Sequence, residues 1–67
     1  MVHHKMPEIE ERLTKSQDHL DSIRKMITQD KSYQEIIHEI SLVRSELDNI
    51  TEIAIQDLSE HEEQAVG

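Results

Sequence analysis

The sequence predicts an all-α fold: two long amphipathic helices joined by a short polar break, folded back as an antiparallel hairpin that dimerises into a four-helix bundle. Three observations point there. With one glycine, one proline, one tyrosine and no other aromatic residue beside 33% charged residues, the composition favours uninterrupted helix and leaves no strand-like run. Apolar residues recur at alternating steps of three and four, the period of a helix with one buried stripe. Between two such series the polar segment from Thr28 to Lys31 breaks the pattern and is followed by a helix-start signature.

The first helix is expected over about 7–29. Pro7 suits a first helical turn, where its missing N–H costs nothing, and Glu8, Glu10 and Glu11 complement the positive end of the helix dipole. Ile9, Leu13, Leu20, Ile23 and Ile27 fall on one face, with Ser16 filling the gap in the ladder. Glu8 with Arg12, Glu11 with Lys15 and Asp21 with Lys25 stand four residues apart on the outside, each pair contributing only about 0.2–0.5 kcal/mol. Ser32 followed by Glu35 reads as a capping box that opens the second helix, expected over about 33–60. Ile36, Ile40, Val43, Leu47, Ile50, Ala54 and Leu58 continue the same spacing there. Leu42 and Ile53 share a second face, and Ile37 and Ile55 lie on a third flank. Tyr33 reads as a packing residue with a wet hydroxyl, and His38, opposite the stripe, as exposed.

These 67 residues amount to one domain, with 1–6 and about 62–67 expected to fray. So short a chain buries too small a fraction of its surface to be comfortably stable alone, and without cysteine neither a disulfide nor a thiolate zinc site can staple it. Self-association is the remaining means. A hairpin covers one side of each stripe, so the two ladders together form the expected core of a dimer, and the off-stripe pairs suggest a dimer of dimers. No apolar run approaches the roughly 20 residues that span a bilayer, and Met1 to Lys5 lacks the apolar core of a signal peptide, so a cytoplasmic location without membrane contact is expected.

The formal charge is -8, and Arg44 is the last basic residue before seven carboxylates. Such a field opposes a phosphate backbone. No nucleophile, acid and base fall together in a way that suggests catalysis, so the chain is read as a non-enzyme. His3 and His4 with the free amine could take Ni(II) or Cu(II), but they equally suit a disordered tail or a cloning remnant. The scattered carboxylates lack Ca²⁺-loop spacing and read as a solvated face.

From Arg12 to Glu62 the chain resembles the CsoR/RcnR/FrmR family of bacterial repressors that respond to metals, formaldehyde or sulfide. The likeness is densest in Arg24 to Asp48, where R-K-M-I, a polar break and E-I-I-x-E-I-S-x-V-R-S-x-L-D follow that family's helix, acidic turn and D-V-L-x-Q-I-S-A-V-R-x-A-L. The resemblance implies an antiparallel four-helix bundle dimer, often doubled, that binds DNA and answers to a small effector; no cofactor is certain from these residues, and a divalent transition metal is the candidate. Its sensing cysteine and the His-x-x-x-Cys or His-x-x-x-His pair fall on Tyr33, Leu58 and Glu62, with His61 beside the last; none of the three keeps a usual ligand. Its helix-1 motif R-x-x-R-I-x-G-Q places the DNA-contacting cations on Arg12 and Lys15, while Asp18 and His19 replace G-Q and Asp21 takes the next basic position. The family's usual third helix is not represented in these residues. The reading is a transcriptional regulator with degenerate metal and DNA sites. Its alternative is an acidic helical dimerisation or protein-interaction module without DNA binding.

Overall fold

In a computed structural model, which describes the backbone of residues 4–66 and the side chains of residues 4–60, the chain is two helices and a turn. Helix α1 spans Met6–Thr28 and helix α2 spans Tyr33–Val66, and the two pack together as an antiparallel hairpin. No strand occurs among the described residues.

Each boundary has a local cause. Helix α1 opens with Pro7 in its first turn, without a side-chain cap from Lys5. It closes in a Schellman arrangement: Asp30 N–H donates to the Ile27 carbonyl at 3.2 Å and Lys31 N–H to the Met26 carbonyl at 3.1 Å. That closure needs one residue in the left-handed region, normally glycine. The sequence has none here, and Asp30 takes the role at φ 63°, a conformation that aspartate tolerates better than most residues. Helix α2 opens with the expected capping box. Glu35 N–H donates to Ser32 Oγ at 3.2 Å, and Ser32 N–H donates to the Glu35 carboxylate at 3.3 Å.

Helix α2 runs further than its apolar ladder. The expected stop near residue 60 and the fraying from about 62 give way to helix through Val66, because Ser59 to Val66 contains neither glycine nor proline and is rich in good helix formers. At 1.5 Å per residue these 34 residues reach about 51 Å, and they set the longest dimension of the molecule.

Packing divides the ladder in two. The seam between the helices is formed by Ile9, Ser16 and Ile23 of α1 with Val43, Ile50 and Asp57 of α2, all buried. Ile36 and Ala54 are half-covered. Leu13, Leu20, Ile27, Ile40, Leu47 and Leu58 occupy the other half of the same stripe and are exposed, Leu20 at 45% and Ile27 at 58%. The reason is geometric. The Cα extents are 55 × 18 × 9 Å, one helix thick, with a radius of gyration of 16.2 Å against about 11 Å for a compact domain of this length.

The buried seam and the capping box each predict a mutational cost. Ile23→Ala should cost about 2–5 kcal/mol, as cavity formation at a buried isoleucine does. Ser32→Ala, which removes one arm of the capping box, should cost about 1 kcal/mol. Urea denaturation followed by helical circular dichroism reads both.

Candidate functional site

The positions at which the family resemblance would place a metal are Tyr33, Leu58, His61 and Glu62. Tyr33 is the first residue of α2 and is 82% exposed, so it does not pack as expected from the sequence; it only borders a shallow depression with Ile27 of α1, Asp30, Lys31 and Ile36. Leu58 lies about seven helical turns away, roughly 38 Å along α2 at 1.5 Å per residue, so the two cannot meet within one chain. The side chains of His61 and Glu62 lie outside the described residues, as does His3. The donor set itself decides the fit: a phenol and an alkyl group stand where thiolate and imidazole are needed, so these residues do not suit the soft or borderline metals that thiolate–imidazole sites select. Among the described residues no group of three or more His, Asp or Glu side chains is placed to hold a metal ion.

Arg12 and Lys15, the two cations expected at a DNA surface, are on the exposed side of α1. Each is tied to a carboxylate one turn earlier, as the spacing predicts: Arg12 to Glu8 at 3.4 Å and Lys15 to Glu11 at 3.7 Å. Both pairs are wet and weak. The third expected pair, Asp21 with Lys25, does not close among the described residues. Arg12 and Lys15 border a shallow depression between the helices that they share with Ser16, Glu46, Asn49 and Ile50, so a carboxylate sits in the surface nearest the two cations.

The best-organised polar group among the described residues is one that the sequence reading does not point to. It bridges the seam. His19 on α1 stands between two carboxylates of α2, with Nδ1 2.8 Å from Glu46 Oε2 and Nε2 2.7 Å from Glu39 Oε1. Ser16 Oγ donates to Glu46 Oε1 at 2.9 Å, so both oxygens of Glu46 accept a bond from α1. A neutral imidazole has one N–H and could satisfy only one of its two carboxylate neighbours; the imidazolium satisfies both. The environment favours that form. Hydrogen bonds to Glu39 and then Glu46 raise the His19 pKa above 6.5, against a smaller opposing effect of burial. The His19 bond, followed by that from Ser16, holds the Glu46 pKa below the ordinary glutamate value. The ring is partly covered, its side chain 21% exposed.

This group is not a metal site. Its two carboxylates approach opposite nitrogens of one ring, and Glu39 and Glu46 are about 10 Å apart along their helix, so no single ion could take all three donors. A sequence signal exists: His19 follows Ser16 by three residues, and Glu39 lies four before and Glu46 three after Val43, all on the seam side of the ladder.

No curated protein and no solved structure matches the chain. The model of a protein family described as "Metal-sensitive transcriptional repressor" matches residues 5–65, which takes in both helices and the turn. The family is one of transcriptional regulators and not of enzymes. The all-α hairpin, the capping box at Ser32 and a match over nearly the whole length agree, and the chain belongs to the metal-sensitive transcriptional repressor family.

Proposed function

We propose that this chain is a self-associating transcriptional regulator whose metal and DNA positions are degenerate, so that assembly carries more of its action than ligand coordination does. The observation that carries this reading is the open half of the apolar ladder. Leu13, Leu20 and Ile27 on α1 and Ile40 and Leu47 on α2 are exposed on one face of a molecule only one helix thick. A continuous apolar face of this kind marks an association surface. A second hairpin laid against it completes an antiparallel four-helix bundle and covers both ladders. Leu42, Ile37 and Ile55, exposed off this face, are available to a dimer of dimers. A cytoplasmic location follows from the regulatory role, and no described helix is long and apolar enough to cross a membrane.

The DNA contact in this reading rests on Arg12 and Lys15, and it is weak. Each cation already shares its charge with a glutamate, and Asp18 and Asp21 follow on the same helix. Those ion pairs favour a second reading, in which the hairpin is an acidic interaction module that pairs with other helices without touching DNA. A divalent transition metal is the effector implied by the family. On this chain it would have to be held by residues other than Tyr33 and Leu58.

Three measurements test these readings. In sedimentation velocity at micromolar concentration the chain is expected to be a dimer or larger, and Leu20→Glu, which buries a charge in the proposed interface, to be monomeric. A monomeric parent chain sinks the assembly reading. In DNA retardation at varied salt, Arg12→Ala with Lys15→Ala should lower the slope of log affinity against log salt by about two. Absence of any retention even at low salt leaves the interaction module. Titration of Ni(II), Cu(II), Co(II) and Zn(II) against helicity and DNA retention checks the effector in the same preparation.

A further inference from the structure

We propose that His19, held between Glu39 and Glu46, is a proton-operated clasp that couples pH to self-association of this chain through its open apolar face. The proposal rests on the assembly reading above and adds the signal that regulates it.

The geometry supplies the clasp. Two bonds of 2.7 and 2.8 Å run from one ring to two carboxylates a helical heptad apart, and with the Ser16 bond to Glu46 they tie the two helices together across the seam. The ionisable groups facing the ring from α2 are Glu39 and Glu46. On α1 the nearest are Asp18, its exposed sequence neighbour, and Lys15, one turn back and already paired with Glu11. Loss of the imidazolium proton turns one ring nitrogen into an acceptor that points at a carboxylate. It also leaves two negative charges where the clasp carried a net one, on a chain whose formal charge is already -8.

The coupling comes from position. His19 is followed by Leu20, Glu39 by Ile40 and Glu46 by Leu47, so each clasp residue lies one step around its helix from an exposed residue of the open face. Opening the clasp loosens the seam where it borders that face and adds negative charge at the face's edge, on both copies of a symmetric pair. Both effects oppose association.

The direction follows from linkage. His19 has a raised pKa, so its contribution is fully present below its unfolded value near 6.5 and is lost as pH rises through the folded value. Glu46 has a lowered pKa, so its contribution is present above its unfolded value near 4.5 and is lost as pH falls through the folded value. The clasp is closed between these limits, and it opens on the alkaline side of the ordinary histidine range.

The test uses the full chain. An NMR titration of the histidine ring protons is expected to give His19 a midpoint above 6.5, shifted down when Glu39→Gln and Glu46→Gln remove the carboxylates. Sedimentation velocity from about pH 6 to pH 9 at fixed ionic strength should show association weakening through that midpoint. With one His19 on each of two copies, the dimerisation constant should change by about a hundredfold for each unit by which assembly raises the His19 midpoint. His19→Gln keeps a polar bridging side chain and has no proton to lose, so its association is expected to be independent of pH in this range, while His38→Gln, at an exposed position, keeps the parent profile. Circular dichroism checks that the variants fold. If His19→Gln is unfolded, the double glutamine variant decides: an unchanged association profile overturns the proposal. A His19 midpoint at or below 6.5 overturns it as well. A dimer that is indifferent to pH despite a raised midpoint overturns the coupling and leaves the assembly reading standing, whereas a chain that is monomeric at every pH overturns both.

Discussion

Two helices can touch each other along only one line. Each helix of this chain carries an apolar stripe wide enough for two contacts, and the hairpin supplies one. The seam takes Ile9, Ile23, Val43 and Ile50, and the remaining rungs stay outside a molecule that is 9 Å across at its narrowest in Cα extent. Most other features follow from that division. It accounts for a radius of gyration far above that of a compact domain and for the absence of any fully buried large side chain among the described residues. It also makes a second layer of helix the economical completion of the fold.

The seam is not uniformly apolar. Ser16 and Asp57 are buried in it, and the Ser16, His19, Glu46 and Glu39 bridge crosses it. Charged bridges of this kind are poor evidence for stability, because taking the groups from water costs much of what their attraction returns. They are better suited to fixing register. An isoleucine seam with a period near seven residues could slip by one heptad with little loss of contact, whereas a histidine that must meet carboxylates on both sides accepts one alignment. The same requirement makes the seam sensitive to a proton, which an all-isoleucine seam would not be.

Membership of a metal-sensing repressor family sits beside residues that do not suit the family's metal chemistry. Tyr33 and Leu58 offer no soft donor, and Arg12 and Lys15 are shared with glutamates on their own helix. The architecture therefore persists where the ligands do not. Hairpin, turn and open face depend on apolar spacing and capping, which many sequences satisfy, whereas a coordination site depends on a few particular atoms. In the function proposed above, assembly rests on the apolar face and needs none of the coordinating atoms.

By itself the sequence determined the two helices, the break between them, the capping box at Ser32 and Glu35, the outward ion pairs of Arg12 and Lys15, and the exposure of His38, because all of these depend on residues within one helical turn of each other. Only the tertiary structure decided which half of the ladder lies in the seam. The series Ile9, Ser16, Ile23 and the series Leu13, Leu20, Ile27 have the same period, and nothing within one helix says which of them will face its partner. For the same reason the His19 bridge was hidden: its three members are far apart in sequence and meet only once the two helices lie side by side in one register. The turn divides in the same way. Its polar residues mark a break, but that Asp30 rather than a glycine would take the left-handed conformation was settled by the need to close α1 and bring α2 back along it.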